Sequence, residues 1–559
     1  MKKYIYLFAT ILVLGFVQTS CVKDVGNYDY VKLSDFYADT TGMGDATLEY
    51  TQFTNVAFDP KLVFGGDTSN LEYTWSLYLR TSSDALYAET ADTLSHNKVL
   101  NWYVDVKTGT YYLEFNAKDT KSGRQINVQY KVTVSGSLGK GWLVLYEKND
   151  GTVDVDMIKD PVIDPSLSSG TVKRNIYSAA NSTNTLSGEP VGIMFQGASV
   201  STGYTLIMSK NSMYALSSED FMISTPYAYL TYGENTGTCA PTSYSTEMNS
   251  HYQYTTSSGT ISTGLGDLSY GRNTYISDGI MYYSANSYPG TYLQPSLIST
   301  DAYGTYTAQR SIMSVSGSMS IYDRKNKRFL GTAGNNSSTY SAVVQNSYAT
   351  AAPFSMTGFS STADLLKWEK ITDKINSASA AKYGSTNVSA CWFKDGSSVN
   401  LKLFLFTSAL KWSPIALIDL SSCPNISNVT SDCIAFMRTN LGVFYGSGNT
   451  LYKVWYDYDF STSTGANTSS YTSSVAYSGI PSGETITCVK LCQHPGFTYQ
   501  YGDGTRKVDK ILWVATWNET TKVGKVYQFA VNIVNGEISG LTNTYTIDGK
   551  VKDISLKFL

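Results

Sequence analysis

Histidine is nearly missing from this chain: His96, His251 and His494 are the only three in 559 residues. They are scattered, and no His-Glu-x-x-His pair occurs, which excludes the zinc hydrolases built on that motif. Charge is scarce as well, at 16% Asp, Glu, Lys and Arg, against about a quarter in an average chain. With a net charge of -3 and no basic run, nothing provides the electrostatic footprint of a nucleic-acid binder. The sequence has no Gly-x-Ser-x-Gly elbow for a nucleophilic serine. Gly139-Lys140 lacks the upstream glycine of a phosphate loop. Amphipathic helix patterning is confined to one stretch, Ser361 to Ser377. Asp154, Asp156 and Asp160, and again Asp457 and Asp459, lack the glycine and terminal glutamate of an EF-hand-like calcium loop. They read as solvated turn carboxylates. Cys488, Cys492 and His494 share one face of a strand, but about 13 Å between the two thiols is too far for ligands of one zinc. No catalytic residue, metal ligand or cofactor is assigned.

One long apolar run is present, and it stands at the N-terminus. Lys2 and Lys3 precede Tyr4 to Val17, and Gln18-Thr19-Ser20-Cys21 follows. The run is shorter than the roughly 20 residues a spanning helix needs, and it suits the apolar region of an export signal. Small residues before a cysteine suit peptidase cleavage after diacylglycerol transfer to the thiol. Residues 1–20 therefore read as a lipoprotein signal peptide, and Cys21 as the acylated anchor of the mature chain in a lipid bilayer. Residues 21–35 read as a short tether.

Tyrosine is abundant, at 45 residues, and it comes with many Ser, Thr and Gly, a mixture that favours pleated, half-buried surfaces joined by turns. The fold class is all-β. Over residues 36–136 apolar and polar residues alternate. Leu71, Tyr73, Trp75, Leu77 and Leu79 form one series, and Ile126, Val128, Tyr130, Val132 and Val134 another. A period of two means strands with one buried and one wet face. About 100 residues of them fit an immunoglobulin-like sandwich with Trp75 as its central aromatic.

The segment Cys21-Val-Lys23-Asp24-Val-Gly26-Asn27-Tyr28-Asp-Tyr30 resembles the mature N-terminus of the PKD-like family of Gram-negative surface lipoproteins. Tyr73-Thr74-Trp75, Gly109-Thr110-Tyr111 and Asp119 with Gly123 are similar to PKD repeats. Gly141-Trp142-Leu143-Val144-Leu145 resembles the opening of the family's C-terminal region. The likeness covers roughly the first 150 residues. It departs where Ser76-Leu77-Tyr78 continues the tryptophan strand in place of a Gly-Asp-Gly turn. What it implies is residence on the outer membrane, exposed at the surface. It also implies a place beside starch-utilisation-type uptake systems, in which TonB-dependent transporters import glycans or peptides.

Past Ser135–Gly141, read as a linker, apolar bursts recur through residues 141–559, among them Trp142 to Tyr146, Val443 to Val454 and Ile511 to Trp517. Repeated units of 40 to 60 residues with four strands each fit a β-propeller. Starts near Trp142, Val191, Leu265, Ser311, Asn387, Ser431 and Thr485 give seven blades, with eight as the alternative and a pair of β-sandwiches as the rival architecture. Val551 to Lys557 is a lone alternating strand that can join the blade begun by Trp142 and close the ring.

Six cysteines remain after Cys21. Cys423 and Cys433 can close a loop; Cys488 and Cys492 are too far apart along a strand to bridge each other. Most of the six read as buried small hydrophobes. Turn-flanked aromatics supply the candidate ligand contacts: Tyr288, Tyr292, Trp455 and Tyr458, with Tyr282-Tyr283 nearby, where loops on a rigid scaffold present stacking faces. Equally, tyrosine fills pleated surfaces in a chain so rich in it. The functional expectation is a non-catalytic surface lipoprotein that binds a glycan or peptide or serves as a scaffold in an uptake complex. The alternative is a propeller-fold polysaccharide lyase or hydrolase, which would gather Asp, Glu, His and Arg at its axis.

Overall fold

The computed structural model describes residues 35–39, 48–79, 91–136, 138–164, 167–197, 203–230, 237–247, 272–284, 293–295, 297–298, 306–313, 319–332, 343–345, 364–370, 387–396, 398–406, 412–437, 440–456, 470–492 and 509–557. Among these, 35–39, 48, 55–79, 91–103 and 110–133 belong to one compact unit, and 49–54, 104–109 and everything from 134 on to a second. Cys21 and the tether lie outside the described residues.

In the first unit, Leu71–Leu79 pairs antiparallel with Gly109–Asp119, placing Trp75 opposite Phe115 and Leu77 opposite Leu113. These strands belong to a five-stranded sheet, and two short pairs accompany it, Phe36–Ala38 with Leu62–Phe64 and Asn55–Phe58 with Leu100–Tyr103. Alternation does the sorting: along Gly109–Asp119 the residues from Tyr111 on are buried at every second position. Trp75 is fully buried, its ring edge-on to Phe58 at 5.7 Å and beside Phe115 at 4.7 Å and Tyr130 at 6.3 Å. Its indole nitrogen donates to the carbonyl of Asn97 at 3.1 Å. The tryptophan is thus a satisfied core residue, as the alternation implies.

The second unit contains, among the described residues, seven antiparallel-dominated sheets of four or five strands. Six follow chain order, starting at Pro190–Gly197, Pro241–Glu247, Leu297–Ile298, Asp364–Lys370, Ile434–Phe436 and Glu484–Leu491. The remaining sheet joins both ends of the unit. Gly141–Lys148 lies between Val153–Lys159 and the C-terminal strand Gly549–Lys557, with Trp142 opposite Leu556 and Val144 opposite Ile554.

Six of these sheets present one strand to a common cavity, the seventh reaches it through the turn before Ile434–Phe436, and most of these strands neighbour one another in turn. Gly549–Lys557 touches Pro190–Gly197, which touches Pro241–Glu247, then Ala308–Met313, then Asp364–Lys370. From its other side Gly549–Lys557 touches Glu484–Leu491, which touches Ile434–Phe436.

The apolar bursts at Trp142 to Tyr146, Val443 to Val454 and Ile511 to Trp517 are inner strands of their sheets. Gly442–Ser447 is buried at every position and Ile511–Asn518 at all but its last, because sheets cover both of their faces. The outermost strands, Tyr471–Tyr477 and Ile538–Ile547, stay half exposed and polar. Between the sheets of the two chain ends, Trp142 and Trp513 meet at 5.1 Å, packed with Val144, Ile547, Val551 and Ile554. Leu138, inside the expected linker, is buried against Leu143 and Val155.

The structure corrects one element. Ser361 to Ser377 does not form a helix in its described part: Asp364–Lys370 is a strand paired with Asn387–Asp395. Its helical spacing is a side effect of an extra residue, Leu366, between Leu365 opposite Phe393 and Lys367 opposite Trp392. A bulge of this kind breaks the period of two.

Lys557, at the end of the closing strand, is 2% exposed, and its ammonium donates to the carbonyl of Gly139 at 3.3 Å. Burial, then Lys159 nearby, pull its pKa down to about 7, from about 10.4 in an unfolded chain. Between those values the unfolded state holds more protons, so stability rises with pH. Urea melts of the K557M variant are expected to lose this rise between pH 7 and 10; an unchanged slope would refute the assignment.

Candidate functional site

One strand from each of six sheets, and the 3-10 turn before the seventh, line a cavity of about 530 Å³. A local device aims their side chains. In each of the six strands, one residue has no opposite number on the neighbouring strand: Lys552, Val191, Thr242, Gln309, Leu366 and Thr487. Each bulge re-aims the residue beside it. Asp553, Ser243, Arg310, Lys367 and Cys488 are brought to the cavity in this way. In the seventh sheet the lining residues Ser431 and Asp432 belong to the short 3-10 turn Ser431–Cys433 before Ile434–Phe436.

Asp553 is the hub. Its Oδ1 accepts from Lys490 Nζ at 2.8 Å and from the backbone N–H of Ile554 at 2.9 Å; its Oδ2 accepts from the N–H of Ile193 at 3.0 Å and from the Tyr244 hydroxyl. Lys490 also donates to that hydroxyl at 3.0 Å. Four donors, from side chains and backbone, meet on this one carboxylate and tie four sheets together. Burial by itself would push Lys490 down, but Asp553 and Tyr244 hold it well above a lysine's usual value. Burial first, and Asp553 second, push the Tyr244 phenol up. Both therefore keep their protons at neutral pH. Lys552 pairs with Asp432 at 2.6 Å; burial opposes ionisation of Asp432, and Lys552 outweighs it, so the carboxyl lies below its usual range. Burial raises the Cys488 thiol, which favours its protonated, unreactive form.

Sequence reasoning missed this cluster. Its signal was faint: Lys490 stands between Val489 and Leu491, and Asp553 precedes Ile554, and a charge buried among apolar neighbours is costly unless paired. The expected aromatic contacts fall elsewhere. Tyr288, Tyr292 and Tyr458 lie outside the described residues, as do His251, His494, Asp457 and Asp459. Trp455 is half-buried on the core of its sheet, over Gly442 and against Gly536. Tyr282 is buried and stacks on Tyr275 at 4.7 Å.

The aspartates read as solvated turn residues are a correction. Asp154, Asp156 and Asp160 are fully buried. Asp154 accepts from Ser178 at 2.6 Å and pairs with Lys148; Asp156 holds Tyr146, Arg174 and the N–H of Asn175; Asp160 accepts from Tyr545 at 2.6 Å. They tie strands together and leave no ligand position. No disulfide joins any of the six described cysteines, Cys423 and Cys433 included, and five are buried. Among the described residues, no three His, Cys, Asp or Glu side chains group as metal ligands.

Residues 21–190 match the PKD-like family. The PKD-like match extends past the first unit through Gly141–Lys148, Val153–Lys159 and Thr171–Lys173. No curated protein matches in sequence. Among solved structures, a quinonprotein alcohol dehydrogenase-like protein from Bacteroides thetaiotaomicron is similar at 11% identity and a TM-score of 0.44, over 94% of this chain and 99% of its own. The dihydro-heme d1 dehydrogenase NirN is similar at 9% identity and a TM-score of 0.34, over 90% of this chain and 79% of its own. A lignostilbene dioxygenase from Pseudomonas brassicacearum is similar at 8% and 0.38, over 75% and 92%. Likeness at this level assigns no chemistry to the chain.

Gly192 adjoins the hub, and a Cβ there would lie 2.2 Å from the Tyr244 ring. Gly192→Ala is expected to displace Tyr244 and cost about 1–3 kcal/mol by overpacking, read by urea denaturation. A neutral result would mean that Tyr244 is loosely held.

Proposed function

We propose that the second unit is a seven-bladed β-propeller and that its central cavity binds a polar ligand without turning it over. The observation that carries this reading is the cavity itself. Its volume of about 530 Å³ falls in the usual range of ligand sites, about 300–1,000 Å³. Its polar groups come from six sheets and the turn before the seventh, and its acids and lysines are paired with one another before any ligand arrives. Closure of the first sheet by the C-terminal strand supports the propeller reading, since a closed ring removes free edges.

The gathering of Asp, Glu, Arg and Lys at the axis favours the second reading, a lyase or hydrolase. Protonation argues against it. A general base works best with a pKa near the operating pH, whereas Lys490 and Tyr244 are both pushed upward, away from neutrality. Asp553 has its oxygens occupied by four donors. The cluster is built to hold charge in place.

The lipobox-like run ending at Cys21 and the PKD-like match support placing this binding protein on the outer membrane, surface-exposed and anchored in the bilayer by acylated Cys21. There it would act as an accessory binding or scaffold component of a TonB-dependent glycan or peptide uptake system.

Two measurements test the proposal. The purified chain is expected to bind members of a glycan or peptide array, and Thr242→Trp, which fills the cavity from an exposed position, to abolish binding; turnover of a bound ligand would favour the enzyme instead. In cells, Cys21→Ser is expected to move the protein from the membrane to the soluble fraction, and membrane retention of that variant would refute the anchor.

A further inference from the structure

The charges around the cavity do not balance. Among the described residues, four acids line it, Glu189, Glu369, Asp432 and Asp553, and five cations, Lys210, Arg310, Lys367, Lys490 and Lys552. Each acid is paired with a lysine: Glu189 with Lys210, Glu369 with Lys367 at 3.6 Å, Asp432 with Lys552 at 2.6 Å and Asp553 with Lys490 at 2.8 Å. Arg310 is left over. No ion pair holds it among the described residues, and its Nε is buried without a hydrogen-bond partner.

Arg310 owes its place to the bulge at Gln309, which separates Ala308, opposite Asp323, from Arg310, opposite Tyr322. Beside it Ser311 bonds Thr274 across to the next sheet at 2.6 Å, so the backbone that carries the guanidinium is fixed. Burial pulls the Arg310 pKa down, and the fields of Asp432, Glu369 and Tyr244 push it back up; an arginine remains charged in either case. A half-buried cation whose Nε is desolvated and which has no counterion is costly. The planar fork of a guanidinium matches the two oxygens of a carboxylate, or of a sulfate or phosphate group, better than any other partner.

We propose that Arg310 is the anion-recognising residue of the cavity and that the ligand carries an oxyanion group. The inference rests on the cavity being a binding site and names the chemistry of what enters. The lysines are paired with their acids. Among the described residues Arg310 supplies the one open charge, and an entering oxyanion completes the pairing. A neutral sugar or an uncharged peptide would leave the guanidinium desolvated and unpaired.

Calorimetric titration of the full chain at low salt, with glucuronate, inorganic sulfate and glucose as probes, tests this. Glucuronate or sulfate is expected to bind, and glucose at least tenfold more weakly. Arg310→Met is expected to weaken anion binding at least tenfold. Arg310→Lys, which keeps the charge and loses the fork, should fall between, and serves alone if the methionine variant does not fold. Preference for glucuronate over sulfate would identify the anion as a carboxylate, and the reverse as a sulfate or phosphate group. Equal affinity of the parent and both variants for the two anions, or binding of neither anion, would overturn the inference. If Thr242→Trp still abolished array binding in that case, the cavity would stand as a site for uncharged ligands. If it did not, the binding reading would fall with the inference.

Discussion

The second unit depends on one strand pairing. Gly549–Lys557 completes the sheet of Gly141–Lys148, and the same strand lies against the cavity-facing strands on both sides of it. Backbone approaches backbone so closely at its start that a Cβ on Gly549 would lie 2.3 Å from the Glu147 carbonyl oxygen. A glycine is required there for steric reasons alone. Farther along, Val551, Ile554 and Leu556 fill the space between the first and last sheets, while Lys552 and Asp553 turn to the cavity. One nine-residue strand therefore carries closure, core and site together.

The site follows from how bulged inner strands treat charge. A regular strand facing a narrow axis would offer side chains only at every second position. The extra residue in six sheets lets adjacent positions reach the cavity, as Lys552 and Asp553 do. Each lysine then finds an acid from its own or another sheet. Because the desolvation of each charge is offset only by its partner, the cluster favours a single arrangement of the sheets around it.

The first unit was legible because its strands are wet on one side: alternation around Trp75 and Tyr111 maps directly onto burial. The second was legible as a succession of apolar bursts, since strands covered on both faces read as continuous runs. The site was not. Bulges displace the pattern by one, which made Asp364–Lys370 look helical. Paired charges also hide from composition, because Lys490 and Asp553 are 63 residues apart and meet only when the sheets assemble. Buried aspartates deceived for the opposite reason. Asp154, Asp156 and Asp160 stand close in sequence like turn residues, yet their partners Ser178, Arg174 and Tyr545 come from elsewhere in the chain.

The closing strand also sets an order on biosynthesis. Gly141–Lys148 leaves the ribosome about 400 residues before its partner, a delay of roughly 20–80 s at ordinary elongation rates. Throughout that interval one edge of the opening sheet is unpaired and its apolar face uncovered, a template for wrong pairings. A chain of this design therefore has reason to remain unfolded, or in the keeping of a chaperone, until the closing strand is made.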